Sequence, residues 1–196
     1  MCITDHLVSR AEAHVRQKLQ HLPSDYTYHC PDHTLEVVDA VRIIGPEEGL
    51  GSNALNKVLI AAWFHDLGYK DSQEAHEEHS KAAVRHFLHQ EGIATATAEE
   101  VAALIDVTRQ DAEPRNQLER VLKDADFFHL ATSKAPDRGE QIRQEIAQTC
   151  GKTFSDDEWL AQNLQFLQDH QYYTDYGKQV LAAGKRRNIE ALKQKL

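Results

Sequence analysis

Helix-type spacing of apolar residues along most of the chain is the feature that most restricts its fold. Near the start, Leu7, Ala11, Val15 and Leu19 recur four residues apart, which places them on one face of a helix. No segment alternates cleanly between apolar and polar residues over five positions, as a half-buried strand would. The sequence therefore predicts an all-α fold.

Start and stop signals divide this pattern into separate helices. Thr97 with Glu100 and Ser155 with Glu158 have capping-box spacing, and each pair opens a predicted helix. The predicted segments are 4–21, 31 to the stop signal Gly45-Pro46, 52–66, 75–90, 97–105, 116–132, a helix beginning at Pro136, 155–170, and a last helix weakened by Gly177 and Gly184. No repeat or linker interrupts them, so we expect one compact helical bundle over residues 1–196.

Composition and charge exclude several classes of protein. The net charge of −9 argues against duplex nucleic acid as a partner. Apolar runs of only a few residues are far too short to cross a membrane, and Asp5 in a polar N-terminus argues against a signal peptide. Cys2, Cys30 and Cys150 form no CxxC pair, so we expect free thiols and a reducing cytoplasm. The oligomeric state is left open.

The stretch AAWFHDLGYK, residues 61–70, ends an apolar helical run on His65 and Asp66. A buried carboxylate requires a partner, a proton or a metal ion. Neighbouring helical residues point about 100° apart, so these two side chains can reach one ion only from a helix end or an irregular turn. Gly68 is consistent with a helix that ends there. If a metal binds, its other ligands must come from elsewhere in the chain.

Two further clusters offer such ligands. His29 and His33 lie four residues apart in YHCPDHTLEVV, and Asp124 and Asp126 occur in LKDADFFHLA. Each residue alone has an ordinary explanation, because a single histidine often caps a helix or packs in a core, and a single aspartate often caps a helix or faces water. Three His/Asp clusters, each at the edge of an apolar helix, are harder to explain without a metal ion.

The order His33, His65-Asp66, Asp126 resembles the H…HD…D pattern of the HD-domain superfamily of metal-dependent phosphohydrolases. The segments YHCPDHTLEVV, AAWFHDLGY, HEEHS, VLKDADFFHL and FLQDHQYYT resemble segments of bacterial predicted HD-domain phosphohydrolases, so the likeness extends over most of the chain. It implies that His33, His65, Asp66 and Asp126 hold one divalent ion. Two imidazoles and two carboxylates agree with Mn, Mg, Fe, Co, Ni or Zn, and the identity stays open.

The resemblance also implies an activity. The expected reaction is hydrolysis of a phosphoester by metal-activated water that Asp66 orients. The expected substrate is a small phosphorylated molecule, a nucleotide or a related compound, and the sequence does not choose between a monoester, a cyclic diester and a pyrophosphate. Two alternatives remain: a non-catalytic HD module that senses a metal and a nucleotide, and an HD-type di-iron oxygenase.

His29 has a role implied by a more distant likeness. Its segment is similar to the Y-H-x-x-x-H segment of class I cyclic nucleotide phosphodiesterases, in which the first histidine protonates the leaving oxygen. A histidine titrates near neutral pH and suits this task. The alternative is that His29 hydrogen-bonds a ligand carboxylate.

Three residues are candidates for a second metal ion, or for hydrogen bonds that support the first. They are His76 and His79 in HEEHS, and Asp124. Di-metal HD proteins carry additional histidines between the HD pair and the last aspartate, and the matching position near LIDVTRQ holds Thr108-Arg109 instead. The sequence therefore favours one metal ion, with a second left open.

Two cations are candidates for binding the substrate. Arg109 can pair with phosphate oxygens through its guanidinium, and Lys70 follows the HD pair closely. The alternative for each is an ordinary cation that faces solvent.

Overall fold

The computed structural model describes residues 3–20, 22–72 and 74–195, and these contain helices and turns but no strand. The helices are α1 (Asp5–Leu19), α2 (Pro31–Glu47), α3 (Ser52–Phe64), α4 (His76–Gln90), α5 (Thr95–Ile105), α6 (Gln117–Asp126), α7 (Ala135–Cys150), α8 (Asp156–Asp169) and α9 (Ala182–Lys193). Short 3₁₀ helices occur at Leu67–Lys70, Asp106–Thr108 and Phe128–Ala131, and a π-helical turn, Gly177–Leu181, leads into α9. The all-α prediction is confirmed. None of the helices in this described part is long and apolar enough to cross a bilayer.

Helix α3 lies at the centre of the bundle. Every residue from 58 to 64 is buried, as expected of a helix that is apolar on all sides. Helices α1, α2, α4, α5 and α6 all pack against it. Since His65 and Asp66 follow α3 directly, they are held in the interior, where polar side chains require partners.

Several helix ends follow the local signals. Thr4 accepts a hydrogen bond from the backbone N–H of Leu7 at the start of α1. The predicted capping box of Ser155 and Glu158 is present at the start of α8. After α4, Gly92 adopts a φ of 72°, a left-handed conformation that favours glycine. These ends are determined by short-range chemistry.

The prediction that Gly45-Pro46 stops the second helix is wrong, because α2 continues to Glu47. The proline ring removes the N–H that would bond the carbonyl of Arg42, but its fixed φ suits a helix. Arg42 is exposed, so water can satisfy that carbonyl. The helix therefore runs past the proline and ends one residue later.

The predicted capping box at Thr97 is also wrong. Helix α5 begins at Thr95, its N-cap is Ala94, and no side chain caps it. Ile93 and Ala98 flank this start with the spacing of a hydrophobic staple, and both are buried. Burial of these two side chains, rather than a polar cap, determines where the helix begins.

The predicted helix over 116–132 is in fact two elements. Helix α6 ends at Asp126, and the 3₁₀ helix Phe128–Ala131 follows after a break. Leu130 then packs in a small apolar cluster with Leu167 of α8 and Leu192 of α9. The break thus directs the chain from the main core to the C-terminal helices.

Asp124 anchors the segment that follows α8. Its carboxylate accepts hydrogen bonds from the backbone N–H groups of Tyr173 and Thr174, both at 2.9 Å, and from the Thr174 hydroxyl at 2.5 Å. The side chain is fully buried. This contact, which we call the Asp124 anchor, ties the C-terminal region to α6.

Two sequence predictions fall on residues that lie outside the described part. They are the thiol of Cys2 and the end of the first helix at His21. The two described cysteines, Cys30 and Cys150, are not joined to each other by a disulfide.

Candidate metal centre

Three helices deliver the four side chains that the sequence predicts as metal ligands. His33 lies in the first turn of α2, which begins with a proline at its first position. Helix α3 ends at Phe64, so His65 and Asp66 occupy the turn before the 3₁₀ helix Leu67–Lys70. Asp126 is the last residue of α6. The helix end at the HD pair is the geometry that lets adjacent residues approach one point.

The ligand atoms of these residues face one another. His65 Nε2 lies 2.9 Å from Asp66 Oδ2 and 3.4 Å from His33 Nε2. Asp126 Oδ1 lies 3.1 Å from His33 Nε2 and 3.6 Å from His65 Nε2. One atom each from His33, His65 and Asp66 lie within 4.8 Å of one another, and Asp126 adjoins both imidazoles. The structure brings all four predicted side chains together.

The chemistry of this cluster fits a divalent ion. Asp66 Oδ2 is buried and close to His65, yet it has no partner with hydrogen-bond geometry among the described residues. A buried carboxylate oxygen without a donor calls for a cation. His65 Nδ1 lies 2.8 Å from the carbonyl of Ala62, which orients the ring so that Nε2 faces the cluster. Two imidazole nitrogens and two carboxylate oxygens form a suitable ligand set for such an ion.

The charges within the cluster are strongly coupled. Burial alone would lower the pKa of His65, but the negative charges of Asp66 and Asp126 raise this pKa to about 9. Burial would raise the pKa of Asp66, but the positive charge of His65 holds it well below its usual range. A proton on His65 thus offsets part of the carboxylate charge. A divalent ion would replace that proton, since an imidazole binds metal in its neutral form.

His29 lies beside the cluster, with its ring centre 6.1 Å from that of His33. Its Nδ1 is hydrogen-bonded to Glu145, and its ring stacks on Tyr69 at 3.7 Å with an angle of 17°. Burial would raise the pKa of Glu145, but the contact with His29 lowers it, so the carboxylate is ionised. The carboxylate that binds His29 is therefore not one of the four predicted ligands.

The HD domain family matches residues 32–131, just over half of the chain. This range contains all four side chains of the cluster. The chain belongs to the HD-domain family. The match confirms the resemblance seen in the sequence, and it leaves out His29 before it and Glu145 after it.

Two solved structures share the fold of this HD-domain protein. One is a predicted HD superfamily hydrolase from an uncultured Thermotogales bacterium, with 17% identity and a TM-score of 0.66, covering 95% of this chain and 89% of the other. The second is a protein from Lactobacillus plantarum, with 18% identity and a TM-score of 0.67, covering 98% of both chains. At these identities the likeness is one of fold. No curated protein matches the sequence.

Within the HD domain, the three candidates for a second ion take different positions. His76 packs on Tyr69 at 3.9 Å, and its Nε2 lies 3.3 Å from Glu77. His79 is exposed. Asp124 makes the Asp124 anchor instead. None of the three belongs to the described group whose ligand atoms lie within 4.8 Å. A second ion stays a prediction without added support.

The two candidate phosphate-binding cations are held by carboxylates. Arg109 Nη2 lies 2.9 Å from Glu78, and its other nitrogens lie 3.8 Å from Glu77 and from Asp106. Lys70 is exposed and lies 3.3 Å from Asp71. A substrate phosphate would compete with these carboxylates, so phosphate binding by Arg109 and Lys70 stays a prediction.

The turn that carries the HD pair packs directly on α4. A Cβ atom at Gly68 would lie 2.1 Å from the carbonyl oxygen of His76 and 2.8 Å from the Cβ of His79. The N–H of Gly68 donates to the hydroxyl of Ser80 at 2.9 Å. Gly68 is needed here for close approach of two backbones. The sequence predicted it only as a helix-end signal.

Glu145 is the residue of this site that the sequence analysis missed. It lies in the middle of α7 in the stretch RQEIAQTC, where a glutamate is typical of any solvated helix. In the structure its side chain is buried beside His29, which is 116 residues away in sequence. No local pattern in a single sequence could have indicated this contact. Its burial is the only signal, and that appears with the structure.

Proposed function

We propose that this HD-domain protein is a metal-dependent phosphohydrolase that cleaves a phosphoester of a nucleotide or a related small molecule. The observation that carries the proposal is the convergence of two imidazole nitrogens and two carboxylate oxygens, including the buried Oδ2 of Asp66, which has no partner with hydrogen-bond geometry among the described residues. Membership of the HD-domain family and the predicted hydrolase of the same fold support it.

The residues of the centre have distinct tasks in this proposal. His33, His65, Asp66 and Asp126 hold the ion. A divalent ion bound there lowers the pKa of a water molecule and polarises a phosphoryl oxygen. Asp66 orients the attacking water through its carboxylate. Because Asp126 is partly exposed while the other three are buried, substrate reaches the centre from the side of Asp126.

His29 acts as the proton donor to the leaving oxygen. Its side chain is 21% exposed, so a substrate can contact it, and its ring lies next to that of His33. General acid catalysis of this kind contributes about 10²–10⁴-fold in rate. The role requires a proton on the edge of the ring that faces the substrate.

The test begins with metal analysis of the purified protein. A panel of phosphate monoesters, cyclic diesters and nucleoside polyphosphates is then assayed with Mn, Mg, Co, Ni, Fe and Zn supplied in turn. We expect about one ion per chain and hydrolysis of at least one class. His33→Ala should lose both metal and activity, whereas His89→Ala, on the exposed side of α4, should keep both.

The same assays separate the two alternatives. Tight metal and nucleotide binding without turnover would favour the sensor module. Two irons per chain, with oxygen consumption and no phosphoester turnover, would favour the di-iron oxygenase. Either outcome would contradict the proposed hydrolase.

A further inference from the structure

The carboxylate of Glu145 is hydrogen-bonded to one short segment of the chain. One carboxylate oxygen bonds Nδ1 of His29, and the other accepts the backbone N–H groups of Tyr28 at 2.8 Å and His29 at 3.0 Å. The side chain is only 6% exposed. A buried carboxylate with three donors from adjacent residues fixes both the backbone and the ring of His29.

The ring of His29 is also held on its face. Tyr69, three residues after Asp66, stacks on His29, and the opposite side of the Tyr69 ring packs against His76. The face contact prevents tilting of the imidazole, and the Glu145 bond prevents its rotation about the ring normal. Asp66, a proposed metal ligand, and Tyr69, which packs on His29, therefore belong to the same short turn.

Only the Nε2 edge of His29 is left available. Within the described residues no hydrogen bond is made to Nε2, and this nitrogen lies on the opposite side of the ring from Nδ1 and Glu145. An imidazole bonded through Nδ1 to a carboxylate is held in one orientation and one tautomer, as in hydrolases that pair a histidine with an aspartate. Nε2 is therefore the ring nitrogen through which His29 can offer a proton to a bound molecule.

We propose that Glu145 is a positioning residue that holds His29 as the proton donor, an inference that rests on the proposed function. In the reaction, the water oxygen forms a bond to phosphorus and releases a proton to solvent. The bond from phosphorus to the leaving oxygen breaks, and its electron pair stays on that oxygen. The Nε2 proton of His29 passes to the same oxygen, and the neutral imidazole regains a proton from solvent. Glu145 touches neither substrate nor metal.

The test compares Glu145→Gln with the wild-type protein, both loaded with the metal that gives the highest activity. An alkyl phosphoester serves as the poor leaving group and a p-nitrophenyl ester as the good one. We expect kcat for the alkyl ester to fall on the order of 10²-fold, as misplacement of a catalytic group does. KM and metal content should stay near wild-type values. The loss should be much smaller for p-nitrophenol, which departs without a proton.

Matched variants separate positioning from a purely structural role. Glu140→Gln removes a charge from an exposed position of the same helix and should behave as wild type. Adding Glu145→Gln to His29→Ala should cause no further loss, since the donor is already absent. Glu145→Asp, which keeps the charge but withdraws it by one methylene, carries the test if the glutamine variant does not fold. We expect it to show the same dependence on the leaving group.

The outcomes distinguish this inference from the proposed function. An inactive wild-type protein overturns both. An active wild type overturns the inference alone if Glu145→Gln keeps full kcat, loses rate equally for both leaving groups, or adds a further loss to His29→Ala. Loss of metal from Glu145→Gln also overturns it, because Glu145 would then act through the ligands.

Discussion

The last turn of α6 carries two aspartates on different faces, and their carboxylates have different partners. On one face, the Asp124 anchor satisfies a carboxylate with three hydrogen-bond donors from Tyr173 and Thr174. On the other face, the Asp126 carboxylate lies against the imidazole nitrogens of His33 and His65. The two aspartates are two residues apart, yet one accepts hydrogen bonds from backbone and hydroxyl donors and the other faces two imidazoles. The identity of these partners separates the structural carboxylate from the one proposed to bind metal.

The largest effect is expected on the metal face. Asp126→Ala removes one of the two ligand carboxylates, so we expect loss of bound metal and a hydrolysis rate at the assay background. Since the Asp124 anchor is untouched, circular dichroism should show an unchanged helical fold. Metal analysis by mass spectrometry checks the prediction. A variant that retains one ion per chain would show that the two faces do not differ as described.

Substitution of Asp124 should lower stability but leave metal binding intact. Asp124→Ala leaves buried donors of Tyr173 and Thr174 without partners, at about 1–3 kcal/mol for each unsatisfied group. We expect the free energy of unfolding to fall by roughly 3 kcal/mol or more, measured by urea denaturation. The folded fraction should still bind one metal ion. Metal loss without loss of stability would contradict this assignment.

A smaller effect is expected on the pH dependence of the free energy of unfolding. It arises at His170, near the Asp124 anchor, where the ring packs against Tyr172 and Phe127. Burial lowers the pKa of His170 to about 3, with the charge of Lys185 acting in the same direction. Between pH 6.5 and 3 the unfolded chain binds a proton at this residue that the folded chain does not. The free energy of unfolding therefore falls as pH falls through this window, by at most about 1.4 kcal/mol per pH unit.

His170→Gln should remove this contribution. Denaturation between pH 7 and 5 measures it, a range above the titration of most carboxylates. Burial also lowers the pKa of His129, to about 4. His129 contributes equally to the pH dependence of stability in both proteins, so the difference between them reports His170 alone. Identical slopes in both proteins would mean that folding does not lower the pKa of His170.

The smallest effect on stability is expected at Arg109. Its ion pairs are partly exposed, and such pairs contribute about 0–1 kcal/mol. Lys123 of α6 donates to the Arg109 backbone carbonyl at 2.6 Å, so the loop stays in place without the guanidinium. We expect Arg109→Ala to unfold like wild type. If Arg109 binds substrate phosphate, KM should rise about tenfold, consistent with about 1.5 kcal/mol for a charged hydrogen bond. An unchanged KM would remove Arg109 from the substrate site.

The sequence could indicate the four predicted ligands because each of them lies at a local signal. His33 follows a proline at a helix start, His65-Asp66 ends an apolar run, and Asp126 closes a short helix. Each signal acts within one helical turn, and the family pattern gives their order. Packing of α3 at the centre then brings the three helix ends together.

The features that escaped prediction depend on distant packing. Glu145 reaches His29 across 116 residues, and nothing within α7 marks it as different from its neighbours. The start of α5 depends on burial of Ile93 and Ala98 rather than on the Thr97 pattern. The break after Asp126 depends on the apolar cluster that Leu130 joins. In each case a tertiary contact outweighs a local preference.

The close approach at Gly68 has a mechanical consequence for the whole centre. Where two elements touch through side chains, a rotamer change can absorb small displacements. Here the turn that carries Asp66 and Tyr69 approaches the backbone of α4 so closely at Gly68 that a Cβ atom would lie 2.1 Å from the His76 carbonyl oxygen. Any movement of α4 is therefore transmitted directly to the turn, and the metal ligand and the aromatic support of His29 move as one rigid unit. Gly68→Ala would force the turn away from α4 and so displace Asp66 and Tyr69 together.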